Sequence, residues 1–160
     1  MTPSVPAARP RVTPEALAAM YEHARRDFPN ECCGIVYGPK SDDTVADRAV
    51  ACANVQDQLH AEDPVRHPRD ARTAYNFGAA DLFKMEKSLR GDVPAKIVYH
   101  SHVNVGAYFS ATDQEVAQMD GEPTFPVDYV VIDIQADGPH GAVQFTWDPE
   151  QKKYVEIGRY

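Results

Sequence analysis

Within the stretch "YHSHVNVGAYFSATDQEVA", Tyr99 to Ala117, two histidines stand one residue apart, and a serine and an aspartate follow at short fixed distances. On a β-strand, side chains at i and i+2 leave the same face, so His100 and His102 can aim both imidazoles at one point. Asp113 lies eleven residues beyond His102, and a strand, a loop and the first turn of a helix can return its carboxylate to the strand end. Two nitrogens and one oxygen leave a tetrahedral position free. That is the catalytic zinc arrangement, in which a water reaches a pKa of about 7, whereas structural zinc sites are closed. Donors without thiolates suit zinc and leave iron, manganese and cobalt open.

Hydrolysis at such a centre needs a group to take and return a proton, and a donor for the oxyanion. Glu31, in "PNECCGIVYG", precedes a strand that can lie beside the histidine strand, and Ser110 sits three residues before Asp113. A shuffled chain of this composition holds about 0.0006 matches to the His, His, Ser, Asp spacing, which makes chance a poor explanation. Ser110 and Asp113 also spell a capping box ahead of "QEVAQM". The two roles are compatible, because a helix N-terminus can cap itself while presenting a carboxylate to a cation.

Glu, then H-S-H, seven residues, Ser, two residues, Asp resembles the JAMM or MPN-plus metallopeptidases, and the "ECCG" and "GAYFS" segments look like the small bacterial members. The resemblance implies an α/β fold of α+β type, similar to the cytidine deaminases, with a mixed, curved β-sheet flanked by helices. It implies Zn2+ held by His100, His102 and Asp113, with Glu31 as general acid/base and Ser110 as oxyanion donor. It also implies hydrolysis of a peptide or isopeptide bond at the C-terminal tail of a ubiquitin-like or sulfur-carrier protein. Ser101 receives no role from it. Many members carry Pro after the second His where this chain has Val103, a change that bears on loop stiffness rather than ligation. The H-x-E and P-C-x-x-C pattern of zinc deaminases is missing, so deaminase chemistry is not expected. The competing readings are a noncatalytic MPN-type scaffold, which the intact motif opposes, and a metallohydrolase of small-molecule amides.

The elements that must position these residues are legible in outline. Thr13, Pro14 and Glu15 read as a helix N-cap, N1 proline and acidic first turn, with Leu17, Met20, Tyr21 and Ala24 at helical spacing. "GIVYG" at Gly34 to Gly38 and the alternating run Val45 to Val55 predict a hairpin. "AADLFKMEKSLRG" predicts a helix with Leu82, Phe83, Glu86 and Leu89 at helical offsets. "AKIVYHSH", Ala95 to His102, predicts a buried strand with the histidines at its carboxyl end. A helix from Ser110 follows, then strands at Val127 to Gln135, Ala142 to Trp147 and Tyr154 to Ile157.

Between the hairpin and the second helix, Gln56 to Arg72 is polar, has two prolines and no period, and predicts a long loop of functional weight, with Arg66 and Arg69 clamping a substrate tail. His60, His67 and His140 read as solvated turn residues. Adjacent Cys32 and Cys33, with Cys52 apart, make neither a disulfide framework nor a CxxC pair and read as packing.

Composition bounds the partners. A charge of −8 disfavours nucleic acid, which is held by cationic neutralisation. The longest apolar runs, such as "YVVIDI", fall far short of the roughly 20 residues of a membrane helix. The N-terminus lacks the apolar core of a secretory signal, so a cytoplasmic protein is expected, with a flexible tail over residues 1–11 and a single domain over 12–160. A homodimer is left open.

Overall fold

The computed structural model describes residues 8–160. In chain order they form β1 (Arg11–Val12), α1 (Pro14–Asp27), β2 (Cys33–Tyr37), β3 (Val45–Ala46), β4 (Arg48–Cys52), α2 (Gln56–Glu62) and α3 (Ala79–Ser88). Then come β5 (Ala95–Val103), α4 (Ala111–Ala117), β6 (Gln118–Met119), β7 (Glu122–Pro123), β8 (Asp128–Gln135), β9 (Gly138–Asp148) and β10 (Lys153–Arg159).

The strand that carries both histidines lies inside a six-stranded sheet of order β10-β9-β8-β5-β2-β4. β5 runs parallel to β8, from Ile97 opposite Asp128 to Val103 opposite Ile134, and every other pair is antiparallel. The sheet is therefore mixed and flanked by four helices, as the resemblance implies. A parallel pair needs a crossover connection. Here residues 104–127 provide it, and they carry α4 with them.

Every residue of β5 from Ala95 to His102 is buried, because the sheet is covered on both faces. Met20, Ala24, Cys32, Val36, Ile97, Tyr99 and Val130 pack on the α1 face. Cys33, Ile35, Met85, Val98, Tyr129, Val131 and Phe145 pack on the other. The period of two assigns the residues of the motif to these faces. Tyr99 and Ser101 point toward the α1 side, and His100 and His102 toward the opposite one.

Local signals place α1 as the sequence predicts: Thr13 caps it by accepting the Ala16 N–H at 3.3 Å, Pro14 opens it, and it stops ahead of Pro29. A buried polar chain ties it to β5, with His23 Nδ1 2.8 Å from the Tyr99 hydroxyl and His23 Nε2 3.1 Å from Asp27. The Tyr99 ring lies over Gly34 of β2, where a Cβ would collide with it. Buried Lys96 is satisfied by the carbonyls of Pro39, Asp42 and Val45 at 2.7, 2.5 and 2.8 Å.

Two expectations are corrected. The segment from Gln56 to Arg72 is not all loop: its first seven residues form α2, with His60 inside the helix and its Nδ1 2.7 Å from the His67 carbonyl. In α3, Phe83 is 69% exposed while Met85 is buried, so the inward stripe runs through Leu82, Met85 and Leu89. The i, i+3, i+7 set won over the one containing Phe83. Of the expected N-terminal tail, residues 1–7 lie outside the described part. Arg9 is ion-paired to buried Asp128, and Arg11 pairs in β1 with β3.

Candidate metal centre

β2, β5 and α4 converge on one point. The Nε2 atoms of His100 and His102 are 3.2 Å apart, and Asp113 Oδ2 lies 3.3 Å from each. Donors bound tetrahedrally at about 2.0–2.1 Å stand about 3.3 Å from one another. The triangle therefore has the edge lengths of three ligands around a zinc-sized cation. All three residues are buried.

The donor set is also chemically primed. His102 Nδ1 lies 3.2 Å from the Gly106 carbonyl, which can only accept, so this nitrogen donates there and Nε2 is the atom that faces the cluster. That return of the chain uses left-handed turns at Asn104 (φ 62°) and Gly106 (φ 88°). Burial pushes the His100 imidazole below its ordinary pKa, against the upward pull of Asp113. For Asp113, burial raises the carboxyl, but His100, His102 and the Ser110 N–H outweigh burial and hold it well below the usual carboxylate range. Neutral imidazoles and an ionised carboxylate are the forms that ligate metals.

Neighbouring rings fix the imidazole planes. Tyr75 stacks on His100 with centroids 4.3 Å apart and 23° between planes, and Tyr108 meets His102 edge-on at 4.8 Å. His100 Nδ1 is buried with no hydrogen-bond partner among the described residues.

Asp113 owes its position to the helix terminus. Ser110 Oγ accepts the Asp113 N–H at 3.0 Å, and Asp113 Oδ2 accepts the Ser110 N–H at 3.0 Å, so the predicted capping box is present. The same carboxylate oxygen that caps α4 faces both imidazoles.

Glu31 stands at the entrance to β2, buried, with a carboxylate oxygen within 4.8 Å of the imidazole nitrogens. Glu31, His100 and His102 thus form a buried group able to hold a metal. Asp113 Oδ2, at 3.3 Å from both rings, faces the same nitrogens. Burial, followed by the charge of Asp113, raises the Glu31 carboxyl to about 8, with Arg69 opposing. Its backbone is clamped: its N–H donates to the Ala71 carbonyl at 2.7 Å and its carbonyl accepts from Asn54 Nδ2 at 2.9 Å. The next residue is clamped too, since Ser101 Oγ accepts the Cys32 N–H at 2.8 Å.

Glu31, His102, Ser110 and Asp113 border a cleft of about 560 Å³ whose rim includes Arg66 and Arg69. Sequence reasoning missed Tyr75, Asn54 and Ser101 as supports. They act through contacts between distant segments, and no local pattern marks them. Cys32, Cys33 and Cys52 are free and buried, with burial pushing the Cys32 thiol up to about 12, which fits packing rather than ligation.

The chain matches the family described as prokaryotic homologs of the JAB domain over residues 13–147, and it belongs to that family. This is the JAMM class that the motif resembles. A CysO-cysteine peptidase of Mycobacterium bovis and one of Mycobacterium tuberculosis are each 33% identical to it over 101 residues. The match covers 62% of this chain, and the chain spans 59% of the length of those curated relatives. Solved structures of proteins from Desulfitobacterium hafniense and Salinibacter ruber share the fold, with TM-scores of 0.62 and 0.60. They are 20% and 21% identical, covering 91% and 92% of this chain and 88% of each of theirs. Among the described residues, no helix is long and apolar enough to cross a membrane.

Proposed function

We propose that this protein is a zinc-dependent peptidase that hydrolyses a peptide or isopeptide bond at the C-terminal tail of a ubiquitin-like or sulfur-carrier protein. The observation that carries this reading is the triangle of His100 Nε2, His102 Nε2 and Asp113 Oδ2, with edges of 3.2–3.3 Å. These three residues would hold the ion. When bound there, zinc supplies a Lewis acid for the scissile carbonyl and lowers the pKa of water.

The remaining chemistry belongs to the chain. Glu31 takes a proton from the attacking water and returns it to the departing amine, so that a C–O bond forms as the C–N bond breaks. A buried carboxyl raised to about 8 suits this exchange, since the best acid/base groups titrate near working pH. Positive charge at the cluster favours its ionised form. Ser110 Oγ is already an acceptor for the Asp113 N–H, which leaves its own hydrogen free to donate to the developing oxyanion.

Relatedness to the CysO-cysteine peptidases supports a sulfur-carrier substrate. The test is direct. The purified chain should contain close to one zinc per molecule and shorten a candidate carrier by a mass equal to its released C-terminal group. Glu31→Gln should keep the zinc and lose turnover. Activity that survives chelation would overturn the reading.

A further inference from the structure

The chain is acidic overall, at −8, yet Arg66 and Arg69 both line the catalytic cleft. Among the described residues neither guanidinium is engaged in an ion pair, while neighbouring Arg72 is held by Asp70 at 2.8 Å. The backbone that presents them is anchored. Buried Gln56 donates to the Arg69 carbonyl at 2.8 Å, Asp57 accepts the Ala71 N–H at 2.7 Å, and Asp63 accepts the Arg66 N–H at 3.1 Å. A preformed arm spends little ordering entropy when it binds.

Arg69 also lines the same cleft as the proton donor, Glu31. It is two residues from Ala71, whose carbonyl holds the Glu31 N–H at 2.7 Å, and its charge reaches the Glu31 carboxyl. The group that protonates the leaving amine must lie beside that nitrogen. Arg69 and Glu31 line the same cleft, so a group that extends beyond that nitrogen on the leaving side can meet Arg69. In an α-linked C-terminal residue, the free carboxylate is two bonds past the nitrogen. In an isopeptide linked through a lysine side chain, that place is taken by an alkyl stem.

We propose that Arg69, with Arg66 beside it, reads a free α-carboxylate on the leaving group, making the enzyme a C-terminal exopeptidase rather than an isopeptidase. The inference rests on the proposed hydrolysis. It adds the residues that choose the bond: R–CO–NH–CHR′–COO⁻ and water give R–COO⁻ and ⁺H₃N–CHR′–COO⁻, with the proton passing through Glu31.

The experiment uses the zinc-loaded full chain and three substrates with the same acyl tail. One ends in a free carboxylate, one in a C-terminal amide, and one is joined through a lysine ε-amine. The acid should be preferred over the amide by about tenfold in kcat/KM, mainly through KM, the scale of one charge-assisted hydrogen bond at an exposed site. Arg69→Ala should bring that ratio close to one, Arg69→Lys should retain part of it, and rising salt should erode it. Calorimetric binding of the acid and amide peptides to Glu31→Gln should show the same preference without turnover. Equal handling of acid and amide by the wild type overturns the inference while leaving hydrolysis standing. Absence of any cleavage would instead remove the proposed function.

Discussion

Ser101 Oγ accepts the Cys32 N–H at 2.8 Å, and Ser101 N–H donates back to the Cys32 carbonyl at 3.1 Å. The serine between the two histidines thereby fixes the residue that follows Glu31. One side of β5 presents the imidazoles and the other sets the height of the acid. Ser101→Ala leaves a buried N–H without its partner, at a cost of about 1–3 kcal/mol in unfolding free energy by denaturant titration. Zinc content should be unchanged and kcat should fall more than KM rises. Unaltered stability would show that the hydroxyl does not carry this bond.

For metal-free protein, Glu31 sets a pH dependence of known sign. Its carboxyl is raised from 4.5 to about 8 in the folded state, chiefly by burial. The folded protein keeps a proton that the unfolded chain releases, so this contribution is complete below pH 4.5 and lost as pH rises to about 8. Glu31→Gln cannot ionise and should flatten this slope. In thermal melts without metal, the variant should overtake the wild type toward pH 8, and parallel curves for the two would refute the buried-acid account.

Asp113 serves two masters, the α4 cap and the imidazole pair, and an amide separates them. Asn at this position can still accept the Ser110 N–H, so helix content should change little. Zinc affinity should fall by at least about 10–100-fold, the loss seen even for residues that only support a ligand. Competition with a chromophoric chelator measures it. An Asp113→Asn protein that binds zinc as tightly as the wild type would point to Glu31 as the third ligand.

Gly34 is required by the Tyr99 ring that lies against it. Gly34→Ala must displace that ring, part it from His23 and disturb the strand next to His100. Overpacking of this kind costs about 1–3 kcal/mol. Equilibrium unfolding and the near-ultraviolet tyrosine signal both report it, and a variant indistinguishable from wild type would contradict the packing.

What the sequence made legible was local. The buried run of β5, the Thr13–Pro14–Glu15 start of α1 and the Ser110/Asp113 box are each written in neighbouring residues, and each stands as read. Glu31 was visible only through the whole motif, because one glutamate ahead of a strand has no pattern of its own. The stacking of Tyr75 on His100 and the hold of Asn54 on Glu31 join segments more than 20 residues apart, which no periodicity encodes. α2 escaped notice because seven mostly polar residues with Gln56 alone buried carry too short and too weak an apolar stripe. β1 and β3, two residues each, gain their definition only from one another.

The imidazoles ride on a strand locked in the middle of the sheet, whereas the arginines belong to a separate excursion stitched to α2. Replacing the two arginine side chains would change the charge along the cleft without moving the strand that carries the imidazoles, whereas the backbone at Ala71 is tied to Glu31 and cannot shift independently of it.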